Sequence, residues 1–311
     1  MSVAERERQS RSSPPRRTRQ RAPDNKAALA FLGPWLAGAV VLTLGPILAS
    51  LYLAFTDYNL LQDASWVGAE NFERMLTDGR LHQSLFVTFA YVAISVPGQL
   101  LVALGLALVL DRGLRGRAIY RSAFYLPSLL GASVAIAVLW RLVFGGSGLF
   151  NGLLGLVGIQ STTSWIGDPD TALGTIILLH VWTFGSPMVI FLAGLRQIPG
   201  ELYEAAASDG AGPWRRFLAI TLPLLTPIIF FNLVLAVINS FQSFTQAFIV
   251  SGGSGGPSDS LLFYTLYLYQ EGFSSFRMGY ASALAWLLVL IIGAFTAINF
   301  WLSKHWVHYD N

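Results

Sequence analysis

The sequence predicts an all-α, polytopic membrane protein, and three observations carry that prediction. Hydrophobic residues make up 54% of the chain, charged residues only 12%, and the mean hydropathy is +0.55, far from the roughly 25% charged of soluble domains. Six apolar segments, near 29–55, 84–110, 119–144, 171–194, 221–249 and 279–302, each approach the ~20 residues a helix needs to cross ~30 Å of hydrocarbon. The connections between them differ sharply in basic residues, as expected of a chain with two distinct sides. Cysteine is absent, which excludes disulfides, thiolate metal sites and cysteine nucleophiles.

Residues 1–26 form a polar arm with Arg6, Arg8, Arg11, Arg16, Arg17, Arg19, Arg21 and Lys26 among Ser and Pro. It has little to bury, so it is expected to be disordered and to act as a cytoplasmic anchor against anionic lipid, not as a nucleic-acid arm. The apolar run behind it is span length and has no small-residue cleavage site, so a cleaved signal peptide is not expected. Residues 27–311 are then one transmembrane domain. Arg112, Arg115, Arg117 and Arg121 follow the second span, Arg196, Arg215 and Arg216 follow the fourth, and Lys304 follows the sixth. Only Arg74, Arg80, Arg141 and Arg277 fall on the other side, which puts both termini in the cytoplasm.

The connection 195–220 is too charged and too rich in Gly and Pro to cross a bilayer. Pro199-Gly200 begins it, Glu201 and Glu204 suit the positive end of a helix, and Gly210 suits the left-handed residue that ends one. A short helix is therefore expected, with Ala205, Ala206 and Ala207 presenting a low face to a partner surface. Pro213 starts a second turn, with Arg215 and Arg216 free for phosphates or carboxylates.

Glu204-Ala205-Ala206, then Asp209-Gly210-Ala211, Phe217, Ile220, Leu222-Pro223 and Pro227 resemble the EAA loop of binding-protein-dependent ABC importer permeases. In that family the loop is the coupling helix that docks in a groove of the ATPase. Further likeness lies in Trp66-Val-Gly68-Ala-Glu70-Asn71-Phe72, Tyr125-Leu-Pro127, Trp140-Arg141, Gly148-Leu-Phe-Asn151, Gly255-Gly256-Pro257 and Met278-Gly279-Tyr280-Ala281, which match sugar importer permeases in order and spacing. Read from the residues alone, the Trp66–Phe72 stretch is an amphipathic interfacial segment. The glycine run 252–256 is followed by no lysine, so it is not a phosphate loop.

Inside the spans, polar residues are few. On a continuous fifth helix at 100° per residue, Asn232, Asn239, Ser243 and Gln246 fall within about 60° of one another, with Ser240 and Gln242 beside them. Uncharged amides and hydroxyls near Phe241 and Phe244 suit a ligand rich in hydroxyl groups; the same stripe equally suits hydrogen bonding between packed helices. The resemblance favours the pathway, because maltose-type permeases place sugar-contacting residues on this helix. His180, Trp182, Thr183 and Ser186 with Pro187 form a weaker polar group in the fourth span. No Asp or Glu lies at that depth to relay a proton, so His180 reads as a packed, hydrogen-bonded residue. Gln99, beside Pro97, remains open between packing and function.

An intramembrane enzyme would need a nucleophile with its base, paired carboxylates or metal ligands facing one cavity, and the spans offer none. An ion-coupled carrier would bury ionisable groups and usually repeat itself within one chain. The resemblance implies instead a type I-like ABC importer permease of the bacterial inner membrane, translocating a sugar or oligosaccharide, or another polyol-like solute such as glycerol phosphate. It implies a second permease subunit, two ABC ATPase subunits that hold the ATP and Mg, and an extracytoplasmic solute-binding protein; this chain would carry no cofactor and bind no nucleic acid.

Overall fold

The structure, a computed structural model, describes residues 25–112, 117–131 and 133–307. The basic arm up to residue 24, and Arg115 and Gly116 of the second connection, lie outside the described residues. Apart from one isolated bridge, Thr56 to Trp66, the regular structure among the described residues is helical. Among the described residues, four helices are long and apolar enough to span a membrane, and two bent pairs bring the number to six if each pair is one span.

The described chain divides into two compact units, one ending at Ala49 and the other beginning at Ser50. In the first, α1 (Asn25–Gly38) runs through a π-helical turn, Ala39–Leu44, into α2 (Gly45–Leu53). Pro46 has no N–H to give the carbonyl four residues back, and the Gly45 N–H bonds Val40 O five residues back instead.

The second unit opens with an irregular hook that leads to α3 (Glu70–Thr77). Gly68 turns the chain at φ +63°, and the Asn71 amide donates to Ala54 O (2.9 Å) and Thr56 O (2.8 Å). The Gly and Asn of the Val-Gly-x-x-Asn-Phe element thus hold this hook closed. Next comes α4 (Gly79–Asp111), the central helix, which buries Tyr91, Val96, Leu100 and Ala103 against later elements.

The third apolar segment is not the straight span that its composition predicts. It forms α5 (Arg117–Leu130) and α6 (Val134–Phe144), set at 88° to each other. Ser133 caps α6 through its hydroxyl, which accepts from Ile136 N, and a Cβ on Gly131 would sit 2.7 Å from Thr183 Cγ2. After α7 (Leu149–Leu156), Asn151 staples the following loop. Its amide donates to Gly146 O and Thr163 O and its oxygen accepts from the Trp165 indole at 2.7 Å.

The fourth segment also departs from a continuous helix, as α8 (Pro169–Trp182) and α9 (Gly185–Leu195) meet at 41°. Both pack on α4. The loop that follows holds α10 (Gly200–Ser208) and α11 (Pro213–Arg216). A π turn, Phe217–Thr221, then leads into α12 (Leu222–Phe241).

The expected fifth helix, 221–249, ends early. Residues 242–244 leave the helix, and the chain resumes as α13 (Thr245–Ser251). The break leaves the Ser243 carbonyl without a helical partner, and the Thr265 hydroxyl donates to it at 2.5 Å. Beyond a 3₁₀ turn at Pro257–Asp259, α14 (Tyr264–Tyr269) passes through a third π turn, Gln270–Ser274, to α15 (Met278–Trp306). Asp78 joins three of these elements. It caps α4 by accepting from Arg80 N and Leu81 N, and accepts the phenolic hydroxyls of Tyr267 and Tyr280.

Candidate functional site

Two places on the chain stand apart from the packed apolar core. The first is a cleft of about 520 Å³ between the breaks of the fourth and fifth segments. Gln99 of α4, His180, Thr183 and Ser186 around the α8–α9 break, and Asn232 and Asn239 of α12 line it, together with Gln242, Ser243, Thr245 and Gln246. Neither Asp, Glu, Lys nor Arg is among the lining residues. The surface is one of amides, hydroxyls and a single imidazole beside Phe244 and Leu235.

The geometry of each polar group follows from the helix breaks. Thr183 donates its hydroxyl to His180 O at 2.6 Å and accepts from Gln99 Nε2 at 2.7 Å, while Gln99 Nε2 also reaches Thr183 O at 3.1 Å. Gln99 thereby ties the break in the fourth segment to the central helix. Both ring nitrogens of His180 are engaged, Nδ1 with the Tyr91 hydroxyl at 2.8 Å and Nε2 with the Ser240 hydroxyl at 3.3 Å. A histidine held between two hydroxyls joins three helices and has no nitrogen left for a ligand.

Among the residues that the fifth-segment stripe singled out, Asn232, Asn239, Ser243 and Gln246 all line the cleft. Ser240 does not. It is wholly buried and faces His180. The route by which they meet differs from the helical wheel, because the wheel holds only as far as Phe241. Ser243 and Gln246 reach the cleft by way of the break. Gln99 and Thr183 are contributions that periodicity on one helix could not supply, since it takes the apposition of α4 and the α8–α9 break to bring them here. Their polarity at span depth was the signal, and no period pointed it in a direction.

The second place is the loop 195–220. In α10, Glu204 and Ala205 are exposed, Ala206 is half-buried, and no side chain larger than alanine stands between Glu204 and Ser208. The helix ends in a Schellman motif: Ala211 N bonds Ala206 O at 2.9 Å and Gly210 N bonds Ala207 O at 3.0 Å, with Gly210 at φ +75°. Asp209 is exposed at the C-cap and Ala211 half-buried beyond it. Leu202, Trp214 and Leu218 add exposed apolar area to the same loop, and Trp214 is 71% exposed. One side-chain bond ties α10 to the turn that begins the fifth segment, Tyr203 Oη to Thr221 Oγ1 at 2.9 Å. The loop thus offers a firm helix with a small-residue face, fastened to a helix that lines the cleft.

Comparisons with known proteins agree with this arrangement. The family model described as "binding-protein-dependent transport system inner membrane component" matches residues 79–307. A probable ABC transporter permease, YesP of Bacillus subtilis (strain 168), is 51% identical over 289 residues, 93% of this chain and 94% of its own length. The trehalose/maltose transport system permease MalF of Thermococcus litoralis is 31% identical over 269 residues, 85% of this chain and 89% of its own. The lactose transport system permease LacF of Rhizobium radiobacter is 31% identical over 279 residues, 88% and 93%. Among solved structures, a chain of a bacterial alginate ABC transporter in complex with its alginate pentasaccharide-bound periplasmic protein superposes with a TM-score of 0.76 at 19% identity, covering 90% of this chain and 94% of that one. That likeness bears on the fold, and the sequence matches bear on the family. The chain therefore belongs to the inner membrane components of binding-protein-dependent transport systems, multi-pass permease subunits of ABC transporters whose ATPase is a separate chain.

Proposed function

We propose that this permease carries a sugar or oligosaccharide into the cell. The observation that bears most weight is the cleft, whose lining mixes amides, hydroxyls and one imidazole with apolar and aromatic side chains and includes no charged side chain. Such a surface can exchange hydrogen bonds with hydroxyl groups without the penalty of desolvating a charge. The relatives named for trehalose/maltose and lactose support the same class of solute. Two such permeases would form the pathway, two ATPases holding ATP and Mg would drive it, and an extracytoplasmic binding protein would deliver the sugar.

Both termini and the loop 195–220 would face the cytoplasm, where the arm 1–26 meets anionic lipid. In this reading α10 docks in a groove of an ATPase through Glu204, Ala205, Ala206, Asp209, Gly210 and Ala211. Closure of the ATPases would move α10, and Tyr203 and the chain itself would pass that motion to α12. A change at the cytoplasmic face would then reshape the cleft that holds Asn239 and Ser243.

Uptake tests this directly. Cells lacking the permease are supplied with labelled maltose, trehalose, lactose and arabino-oligosaccharides, with the wild type or a variant restored. At least one of these sugars should depend on the wild-type gene. Asn239→Leu and Ser243→Leu should lower its uptake per assembled complex by about 5- to 10-fold each, the equivalent of one lost hydrogen bond, with basal ATP hydrolysis retained. Normal uptake per complex, with reduced assembly alone, would mean that the stripe only packs helices together.

A further inference from the structure

We infer that Gln99 and Asn232 are a fixed pair of hydrogen-bond acceptors for substrate hydroxyl groups, so that this part of the cleft recognises sugar O–H donors through two amide oxygens. The inference rests on the sugar reading and adds to it which atoms recognise the solute and with what polarity. Gln99 is 6% exposed and Asn232 3%, yet both line the cleft. Each commits its NH₂ to another group of the chain. Gln99 Nε2 donates to the carbonyl and hydroxyl of Thr183, and Asn232 Nδ2 donates to Ile228 O at 3.0 Å.

These bonds fix the amide orientations, because a backbone carbonyl can only accept and must face the nitrogen. The oxygens are thereby turned to the other side. Among the described residues, neither Gln99 Oε1 nor Asn232 Oδ1 bonds any group, and neither is sealed from solvent as the Ser95 hydroxyl is. The space open to them is the cleft. An acceptor so placed is poorly satisfied by neighbours and well satisfied by an incoming O–H. Carboxylate and phosphate oxygens have no proton to offer these two groups, so this wall suits the hydroxyl-bearing part of a solute.

The test uses the whole importer in proteoliposomes, with whichever of maltose, trehalose and lactose it takes up and the monodeoxy analogues of that sugar. Gln99→Met and Asn232→Leu keep the side-chain volume and remove the acceptor. Each should slow uptake of the parent sugar by about 5- to 10-fold per assembled complex. For one analogue per variant, wild type and variant should transport equally, because the hydroxyl that meets the missing oxygen is already gone. A packing role would instead slow every analogue by the same factor, and that outcome, or normal uptake of the parent, overturns the inference while leaving the sugar reading in place. Failure of the wild type to take up any of the three sugars would overturn the sugar reading itself, and this inference with it.

Discussion

At the scale of single residues, several side chains close backbone hydrogen bonds that no helix satisfies. Asn71, Asn151 and Gln99 each place a buried or half-buried amide against carbonyls that no helix satisfies. At span depth, where Gln99 lies, such a carbonyl has no lipid partner to turn to, so leaving it unpaired would be costly. Asp78 does the same work with a charge. Burial raises the pKa of its carboxyl, but bonds from Tyr267, Tyr280, Leu81 N and Arg80 N outweigh burial and hold it below 3.8. A group with a depressed folded pKa adds stability that is complete above its unfolded value, about 3.9, and is lost as pH falls through the folded one. Asp78→Asn should therefore lower stability by about 1–3 kcal/mol at neutral pH. In detergent melts the gap between wild type and variant should persist from pH 7 to 5 and close below pH 4. A gap that stays open below pH 4 would assign the loss to packing and not to the carboxylate.

Elements show where apolar composition misleads. Hydropathy places a helix over 119–144, 171–194 and 221–249, and the structure breaks all three, near Gly131, Thr183 and residues 242–244. Each break frees backbone groups, and each of the last two is repaired by a distant side chain, Gln99 for one and Thr265 for the other. Local sequence cannot show these repairs. By contrast α10 was legible down to its last residue, since its start at Pro199-Gly200 and its stop at Gly210 are local chemistry. A Cβ at Gly210 would meet open space, so the cost of Gly210→Ala is backbone strain alone, about 1–2 kcal/mol. That variant should loosen the end of α10, and Glu204→Lys should reverse a charge on its exposed face. Both should assemble in the membrane but transport less sugar per ATP hydrolysed, with Gly210→Asn closer to wild type because Asn tolerates the left-handed region. Unchanged coupling in Glu204→Lys and Gly210→Ala would remove α10 from the coupling role.

For the whole molecule, the count of basic residues on alternate connections sets an orientation that can be measured without background, because the chain has no cysteine. Single cysteines at Glu5, Leu114 and Gly212 should be shielded from an impermeant thiol reagent in intact cells, and those at Ala69 and Ser258 should be labelled. Labelling at 212 from outside would invert the topology and detach α10 from any cytoplasmic ATPase.

By itself the sequence determined the class, the apolar segments, the family and the form of the loop 195–220. All of these rest on composition or on residues within one turn or one loop of each other, where hydrophobicity, Pro, Gly and capping act directly. It also named most of the polar residues of the cleft, because few polar residues occur in the spans at all. Only the tertiary structure decided how they meet: that Ser240 serves His180, that Ser243 and Gln246 arrive through a break and not along a helical stripe, and that Gln99 belongs with them. Those outcomes depend on which carbonyls a break leaves open and which side chain from another helix stands opposite, and hydrogen bonds across 84 residues, such as Gln99 to Thr183, leave no period in the sequence.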